Sequence, residues 1–207
     1  MTRQPLEKAL RPRKTPRQDR STATRARILD AAREVFAEHG YAAGTTNRIA
    51  ATAAVSVGSL YQYFPNKDAI LVELVRDHIE DGTARVLAAL ATAGAADLPD
   101  LVRAVVTAMV AVHADDRRLH QVLFEESPRP PELLAQLREL EDGAVAVLAE
   151  RLRQDRPDLD TPALVARITV VTIESLVHRL VASDRPLDTD RFVAEVTRMV
   201  DGYLTRR

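Results

Sequence analysis

The sequence predicts an all-α protein of about nine helices, in which a small N-terminal three-helix domain precedes a larger helical domain. Three observations support this prediction. Apolar residues recur at helical spacing along most of the chain, as they do at Ile28, Leu29, Ala32 and Val35. Ala, Leu, Arg and Val dominate a composition with 4% aromatic residues, which favours helices over sheets. No segment shows the apolar–polar alternation of a half-buried strand.

The composition excludes several classes of protein. The 207 residues contain no cysteine, which removes disulfides, cysteine nucleophiles and thiolate metal sites. No apolar run reaches the roughly 18 residues of a membrane-spanning helix. Residues 1–20 are basic but have no apolar core, so they do not read as a secretory signal. We therefore expect a cytoplasmic protein with no membrane partner.

The charge is divided unequally along the chain. Residues 1–68 carry twelve Lys and Arg against six Asp and Glu, whereas residues 69–207 carry seventeen against twenty-four. The net charge of −1 thus hides a basic first part and an acidic second part. Opposite signs predict separate partners, with a polyanion for the first part. Chance segregation of solvated charges is the alternative interpretation.

Residues 1–24 are predicted to form a disordered basic arm, because three Pro and seven Lys or Arg occur there without helical periodicity. A flexible basic segment attracts phosphate without needing a fold, so we expect this arm to add affinity for DNA. The alternative is an ordinary mobile terminus with accidental charge.

Local start and stop signals place the helices. Helix 1 is predicted over residues 24–39 and is ended by Gly40. The others are predicted over residues 45–53, 56–64, 66–91, 99–114, 117–126, 131–155, 161–183 and 188–205. Four N-caps are predicted, at Thr45 or Thr46, Ser56, Asn66 and Thr161, the last followed by Pro162 at the first helical position.

Two short amphipathic runs separated by a tight break occupy residues 45–64. The first carries Ile49 and Ala53 on one face, and the second carries Leu60 and Phe64. Neither run is long enough to be stable in isolation. Two short helices that pack across such a break make a helix-turn-helix. The second run has no acidic residue, which suits a surface that meets DNA phosphates and base edges.

Residues 25–79 resemble the DNA-binding region of the TetR (tetracycline-repressor-like) family of transcriptional regulators. The matching segments are RILDAAREVFAEHGY (27–41), TTNRIAATA (45–53) and VSVGSLYQYFPNKDAIL (55–71), of which YQYFPNKDAIL is a specific signal. The resemblance implies a helix-turn-helix domain over residues 25–68 and an effector-binding and dimerisation domain over residues 69–207. The second domain matches the family only in being helical and of suitable length.

The resemblance also implies which residues meet DNA. It implies that Tyr61 and Lys67 contact DNA phosphates. It also implies that Thr45 or Thr46, at the start of helix 2, holds the DNA strand. Gln62 could pair with adenine, and Gly58 would let the backbone approach the DNA closely. Tyr63 is expected to pack in the core with an exposed hydroxyl. The predicted DNA-binding set is Thr45, Thr46, Arg48, Ser56, Val57, Gly58, Ser59, Tyr61, Gln62, Tyr63 and Lys67.

Predicted helix 8 is apolar on almost every side, and such a helix must be covered on both faces. One face can meet the domain core and the other a second subunit, although a larger monomeric core is the alternative. In the family that the chain resembles, the last two helices pair with their symmetry mates, so helices 8 and 9 predict a homodimer on a pseudo-palindromic DNA operator. The predicted dimer interface is Ile173, Val177, Leu180, Val181, Phe192, Val196, Met199 and Val200.

A small-molecule effector of unknown identity is expected to bind among helices 4 to 8. Glu174 and His178 lie one turn apart, and they can satisfy each other, bond across the dimer axis or line a cavity. The predicted lining residues, all of which are also compatible with plain core, are Met109, His113, Phe124, Leu140, Gly143, Val147, Glu174 and His178.

Metal and catalytic sites are not expected. His113, His120, Asp115 and Asp116 lack the spacing of a preformed zinc site and are interpreted as solvated helix ends. No phosphate-cradling glycine loop or nucleophile–base pair is recognisable, so neither an enzyme nor a cofactor is predicted. The sequence predicts a nucleoid-associated regulator, implied by the resemblance to be a repressor that an effector releases from its operator. A ligand-independent architectural DNA-binding protein is the alternative.

Overall fold

The computed structural model describes residues 19–94, 96–114, 117–126, 131–181 and 186–205, and these residues form nine helices and no strand. The helices are α1 (Asp19–Ala43), α2 (Thr46–Thr52), α3 (Val57–Tyr63), α4 (Lys67–Ala93), α5 (Leu98–Ala114), α6 (Arg117–Gln121), α7 (Pro131–Asp155), α8 (Pro162–Leu176) and α9 (Thr189–Leu204). The predicted all-α class is confirmed. Among the described helices, none is long and apolar enough to cross a membrane.

The chain divides into two compact units, and the predicted boundary after residue 68 does not coincide with their division. The first unit comprises the described residues within 1–79 and 118–130, and the second those within 80–117 and 131–207. The difference arises in α4, whose buried residues run from Ala69 to Ile79. Its first turns therefore complete the core of the first unit.

The core of the first unit is formed by apolar residues from all four of its first helices. These side chains lose nearly all their exposure to water, which provides the main stabilisation of a small helical unit. The fully buried set includes Ile28, Phe36, Ile49, Leu60, Phe64, Ile70, Leu71 and Leu74. Neither short helix needs to be stable alone, because each contributes one stripe to this shared core.

Helix α1 begins earlier than predicted, which corrects part of the expected arm. Residues 19–24 are helical, and the hydroxyl of Ser21 donates to the hydroxyl of Tyr63 at 3.3 Å. Arg25 pairs with Glu73 and lies 5.5 Å from the centroid of the Phe64 ring. These tertiary contacts stabilise a helical turn that has no apolar periodicity of its own. The rest of the predicted arm, residues 1–18, lies outside the described residues.

Gly40 interrupts α1 as predicted. Its φ of 72° and ψ of 175° leave the helical region, and one further turn continues to Ala43. A residue with a side chain rarely adopts this positive φ, whereas glycine does so freely.

Three of the four predicted caps are confirmed. Thr45 accepts from the backbone N–H of Arg48 at 3.3 Å, Ser56 from Ser59 at 3.0 Å, and Asn66 from Ala69 at 2.8 Å. The predicted cap at Thr161 is wrong. Its φ of −131° and ψ of 56° lie outside the extended region that a capping side chain needs, and it makes no capping hydrogen bond. Pro162 does begin α8, as expected.

The second unit is built on two helix pairs. α7 packs on α8, and α9 packs on α5. Their apolar faces meet in one core, which includes Val106, Leu152, Ala166, Ile173, Val177, Phe192, Val196 and Val200. This core fixes which face of α8 and α9 points inwards.

Both α6 and α8 end in a π-helical turn, Val122–Glu126 after α6 and Val177–Val181 after α8. Such turns are rare and are often found at functional sites. The interpretation of His113 and His120 as solvated helix ends is wrong, because both side chains are buried, with 6% and 3% of their surface exposed. Asp115 and Asp116 lie outside the described residues.

Candidate DNA-binding and regulatory sites

A four-residue connection between α2 and α3 forms the turn of a helix-turn-helix. The backbone N–H of Val55 donates to the carbonyl of Ala50 at 3.0 Å, which closes the reversal. Ala54 takes a left-handed conformation with φ of 51°. For a residue with a Cβ, that conformation is less favourable by roughly 1–2 kcal/mol. Burial of Ile49 before the turn and of Leu60 after it offsets this cost.

The cap and the core contacts of α3 determine which of its side chains reach solvent. Ser56 fixes the first turn, while Leu60 and Tyr63 bury the inner face. The residues left exposed are Ser56, Val57, Gly58, Tyr61 and Gln62, with Ser59 half-buried. Neither α2 nor α3 contains an acidic residue. This outer face can therefore approach phosphates without charge repulsion.

The structure brings the predicted phosphate-contacting residues of α2 and α3 together. The hydroxyls of Thr46 and Tyr61 lie 3.1 Å apart and share a hydrogen bond. Arg48 is exposed on the same helix as Thr46, and Thr45 is exposed at the N-cap before it. The two helices thus present hydroxyl groups from a common surface, and such groups commonly bind phosphate oxygens.

His39 was not singled out from the sequence, although it contacts a predicted DNA-binding residue. Its Nε2 lies 3.1 Å from a guanidinium nitrogen of Arg48. A guanidinium only donates, so this ring nitrogen accepts the hydrogen bond. The contact restricts the long side chain of Arg48.

Tyr63 is placed differently from the rest of the predicted DNA-binding set. Only 9% of its surface is exposed, and its hydroxyl accepts from Ser21. It belongs to the core of the first unit and does not contribute to the outer face of α3. The expected core packing is observed, but the hydroxyl serves the attachment of α1.

Lys67 is half-buried, and its ammonium group has partners inside the first unit. Nζ donates to the carbonyl of Tyr41 at 2.7 Å and to that of Ala42 at 3.4 Å. It also lies 4.0 Å from the centroid of the Tyr41 ring, which is a cation–π contact. The sequence analysis predicted Lys67 but missed Tyr41, because no local pattern connects two residues so far apart in the chain.

Tyr41 is anchored at both ends. Its hydroxyl donates to Asp68 at 2.7 Å, and its backbone N–H donates to the carboxylate of Glu126 at 3.0 Å. Burial, followed by the hydrogen bond to Asp68 and its charge, raises the pKa of Tyr41 to about 12. The Tyr41 hydroxyl therefore remains a donor at neutral pH. The backbone hydrogen bond from Tyr41 and the Arg118 guanidinium 2.5 Å away lower the pKa of Glu126.

Four of the predicted effector-pocket residues form a linked group in the second unit. His113 donates from Nδ1 to the carbonyl of Met109 at 2.6 Å, and its ring meets that of His178 edge-on at 4.6 Å. Glu174 lies 3.9 Å from His178. Burial lowers the pKa of His113, while burial and then the charge of Glu141 raise the pKa of Glu174. The surroundings thus favour the uncharged form of both groups.

The other four predicted pocket residues do not join this group. Leu140, Gly143 and Val147 are exposed on α7, and Val147 is 68% exposed. A Cβ built on Gly143 would meet nothing within 4 Å, so this glycine faces open space. Phe124 belongs to the first unit, where its ring stacks on that of His120 at 4.5 Å. Helical spacing alone did not show which face of α7 points outwards.

Most of the predicted dimer interface is buried in the core of a single subunit. Six of its eight residues belong to that core and have at most 7% of their surface exposed: Ile173, Val177, Val181, Phe192, Val196 and Val200. Of the predicted interface, Leu180 and Met199 are exposed. Further exposed apolar side chains on α8 and α9 are Leu164, Ile168, Val171 and Tyr203. Part of α9 also lines an open groove of about 500 Å³, which includes Met199, Gly202 and Tyr203.

A capped helix-turn-helix whose outer face carries no carboxylate is typical of a DNA-binding protein. The family model described as "Bacterial regulatory proteins, tetR family" matches residues 28–74, and "Tetracyclin repressor-like, C-terminal domain" matches residues 97–204. The chain belongs to the TetR family of transcriptional regulators.

Relatives of similar length match over most of this chain. The HTH-type transcriptional regulator UidR of Escherichia coli (strain K12) is 26% identical over 194 residues, which cover 91% of this chain and 96% of that protein. The HTH-type transcriptional activator FasR of Mycolicibacterium smegmatis is 27% identical over 197 residues, which cover 92% and 85%. A solved structure of the fatty acid degradation regulator FadR from Bacillus halodurans superposes with a TM-score of 0.70 and 25% identity, covering 93% of this chain and all of that one.

Proposed function

We propose that this protein is a homodimeric repressor that binds a pseudo-palindromic operator and leaves it when a small molecule binds to the second unit. The observation that carries the DNA-binding part is the outer face of α3, which Ser56 caps and Tyr61 ties to Thr46. Gln62 stands exposed on that face and has the donor and acceptor needed to read adenine. One relative is named as an activator, so repression is the finer part of the proposal.

The exposed apolar residues of α8 and α9 support the proposed dimer. Leu164, Ile168 and Val171 follow helical spacing on the face of α8 opposite its buried residues. A contiguous exposed apolar stripe of this kind commonly marks a protein interface. A two-fold contact through this stripe would present two copies of α3 to two half-sites.

The linked group in the second unit supports the proposed effector site. Met109, His113, Glu174 and His178 combine an apolar surrounding with a few polar atoms, as small-molecule sites do. The acidic side chains of Glu174 and Glu141 disfavour an anionic ligand there, so we expect a neutral or cationic head group. Such a ligand releases DNA only if it binds the DNA-free state more tightly than the DNA-bound state.

Selection from a random duplex library tests the DNA-binding part. We expect the unmodified protein to recover an inverted repeat whose half-sites are about one helical turn apart. The Gln62→Ala variant is the matched test of base reading, and it should relax preference at one position per half-site by about 1–3 kcal/mol. Recovery of no common sequence would contradict sequence-specific binding and would favour the architectural alternative.

Release of the recovered duplex tests the effector part. Dodecylamine, dodecanol and dodecanoate share one apolar chain and differ in head-group charge, so their effects on the complex can be compared directly. We expect dodecylamine or dodecanol to release DNA at lower concentration than dodecanoate. Glu174→Gln should reduce the advantage of the amine over the alcohol. Operator affinity unchanged by a wider set of small molecules would support ligand-independent binding.

A further inference from the structure

The ammonium of Lys67 is held in place before any DNA is bound. Two carbonyl oxygens at the end of α1 accept from it, and the Tyr41 ring lies against it at 4.0 Å. An ammonium group has three donors, so these contacts among the described residues leave one for an additional acceptor.

We propose that Tyr41 is a positioning residue for the phosphate contact of Lys67: its ring and carbonyl hold the ammonium so that the remaining donor meets a DNA phosphate. This inference rests on the proposed function, because it requires Lys67 to touch DNA. It assigns to Tyr41 a role in affinity that is separate from its contribution to the fold.

The advantage of this arrangement is preorganisation. A free lysine side chain loses the freedom of several rotatable bonds when it binds one phosphate, and that loss weakens binding. In this protein the loss occurs during folding, when Tyr41 and the two carbonyls order the chain. The Tyr41 ring attracts the cation without removing its charge, so the attraction to phosphate persists.

Tyr41 is itself fixed by the two helices that flank it. Asp68 accepts from the hydroxyl, and Glu126 accepts from the backbone N–H, while Arg118 holds Glu126. The π-helical turn Val122–Glu126 is therefore part of the support for Lys67. A rigid ring is needed for this role, because a mobile one would not restrict the ammonium.

A double-mutant cycle on Tyr41 and Lys67 tests the inference. Binding to a fluorescent duplex of random sequence is titrated at several salt concentrations, because a phosphate contact does not depend on sequence. Lys67→Ala should weaken binding and reduce the salt slope by about 0.9. Tyr41→Leu should weaken binding roughly ten-fold at low salt, from the lost ordering of one lysine side chain. Tyr41→Phe keeps the ring but loses the hydrogen bond to Asp68, so it should weaken binding less than Tyr41→Leu does.

The coupling between the two changes separates positioning from simple stabilisation. We expect Lys67→Ala to cost much less in the Tyr41→Leu background than alone. Tyr61→Phe is the matched control: its hydroxyl bonds to Thr46, so its effect should add to that of Lys67→Ala. If Tyr41→Leu does not fold, Tyr41→Met fills the same space without a π face and replaces it.

The outcomes distinguish this inference from the proposed function. Additive costs of Tyr41→Leu and Lys67→Ala, in proteins that remain folded by thermal unfolding, would overturn the positioning role alone. If Lys67→Ala changes neither the affinity nor the salt slope, the positioning role of Tyr41 is likewise overturned. Failure of the unmodified protein to bind any duplex at low salt would overturn both the proposed function and this inference.

Discussion

At the scale of single residues, Gly40 occupies a position that only glycine fills without cost. Its φ is 72°, and an added Cβ would lie 2.8 Å from the Arg118 guanidinium and 2.9 Å from the Glu126 carboxylate. We expect Gly40→Ala to lower the free energy of unfolding by about 1–3 kcal/mol, from backbone strain and the displaced ion pair. Urea denaturation followed by circular dichroism measures this change.

Gly143 provides the matched control for Gly40. It lies within helix α7, and an added Cβ there would meet open space. Gly143→Ala should therefore raise the free energy of unfolding by up to about 1 kcal/mol, because alanine favours the helix. A Gly40→Ala protein as stable as the unmodified chain would show that the α1 break tolerates a side chain.

Local residue roles were predictable where the responsible chemistry is local. Ser56 and Asn66 cap helices because each side chain reaches a backbone N–H three residues ahead. Thr161 has the right chemistry but the wrong backbone conformation, which a residue type does not specify. Tyr41 could not be found from the sequence, since its partners Lys67 and Glu126 come from distant segments.

At the scale of elements, the π-helical turn after α6 is attached to the end of α1 by a charged contact. Glu126 accepts from the Tyr41 backbone and pairs with Arg118, and these contacts lower the pKa of its carboxyl. A lowered folded-state pKa stabilises the protein fully above the ordinary glutamate pKa of about 4.3. This stabilisation is lost as the pH falls through the folded-state pKa.

Glu126→Gln tests this attachment. The amide keeps the shape but cannot ionise, so the unfolding midpoint should fall at pH 7 and should depend less on pH below about 4.3 than that of the unmodified protein. Glu139→Gln, at an exposed position on α7, is the control and should leave the profile unchanged. Equal acid dependence of the Glu126→Gln and unmodified proteins would show that the contact contributes nothing to stability.

The N-terminal segment before α1 is the second element with a testable role. Residues 1–18 carry six Lys and Arg against one Asp or Glu. Their deletion removes no described helix, so the thermal midpoint should not change. DNA affinity at low salt should fall by up to about ten-fold, and the difference should shrink as salt rises. Equal affinities at low salt would show that this segment does not contribute to DNA binding.

Helix positions followed from the sequence more closely than helix faces did. α7 begins and ends at the predicted residues, because Pro131 starts it and its apolar periodicity is unbroken. The π-helical turns were not predicted, since they arise from packing that local propensity does not encode. The early start of α1 has the same cause, as Ser21 and Arg25 are held by residues of α3 and α4.

At the scale of the whole molecule, the division between core and exposed apolar surface decides which residues can join two subunits. α8 is apolar on both sides, so the sequence predicted two covered faces but did not indicate which one meets the core. In the structure, Val177 and Val196 are buried in the core, whereas Ile168 and Val171 are exposed. A charge at Val177 or Val196 would therefore unfold the second unit and would not test dimerisation.

Ile168→Glu tests the proposed dimer, because 43% of the Ile168 surface is exposed in one subunit. The charge would be tolerated in a monomer but would be buried twice across a two-fold interface, without a partner in either copy. We expect sedimentation to show monomers of unchanged helical content, with operator affinity reduced at least about a hundred-fold, since one copy of α3 reads only a half-site. Val147→Glu is the control: it places the same charge on the 68% exposed Val147 of α7 and should leave a dimer. An unmodified protein that sediments as a monomer at micromolar concentration would contradict both the interface on α8 and α9 and the pseudo-palindromic operator.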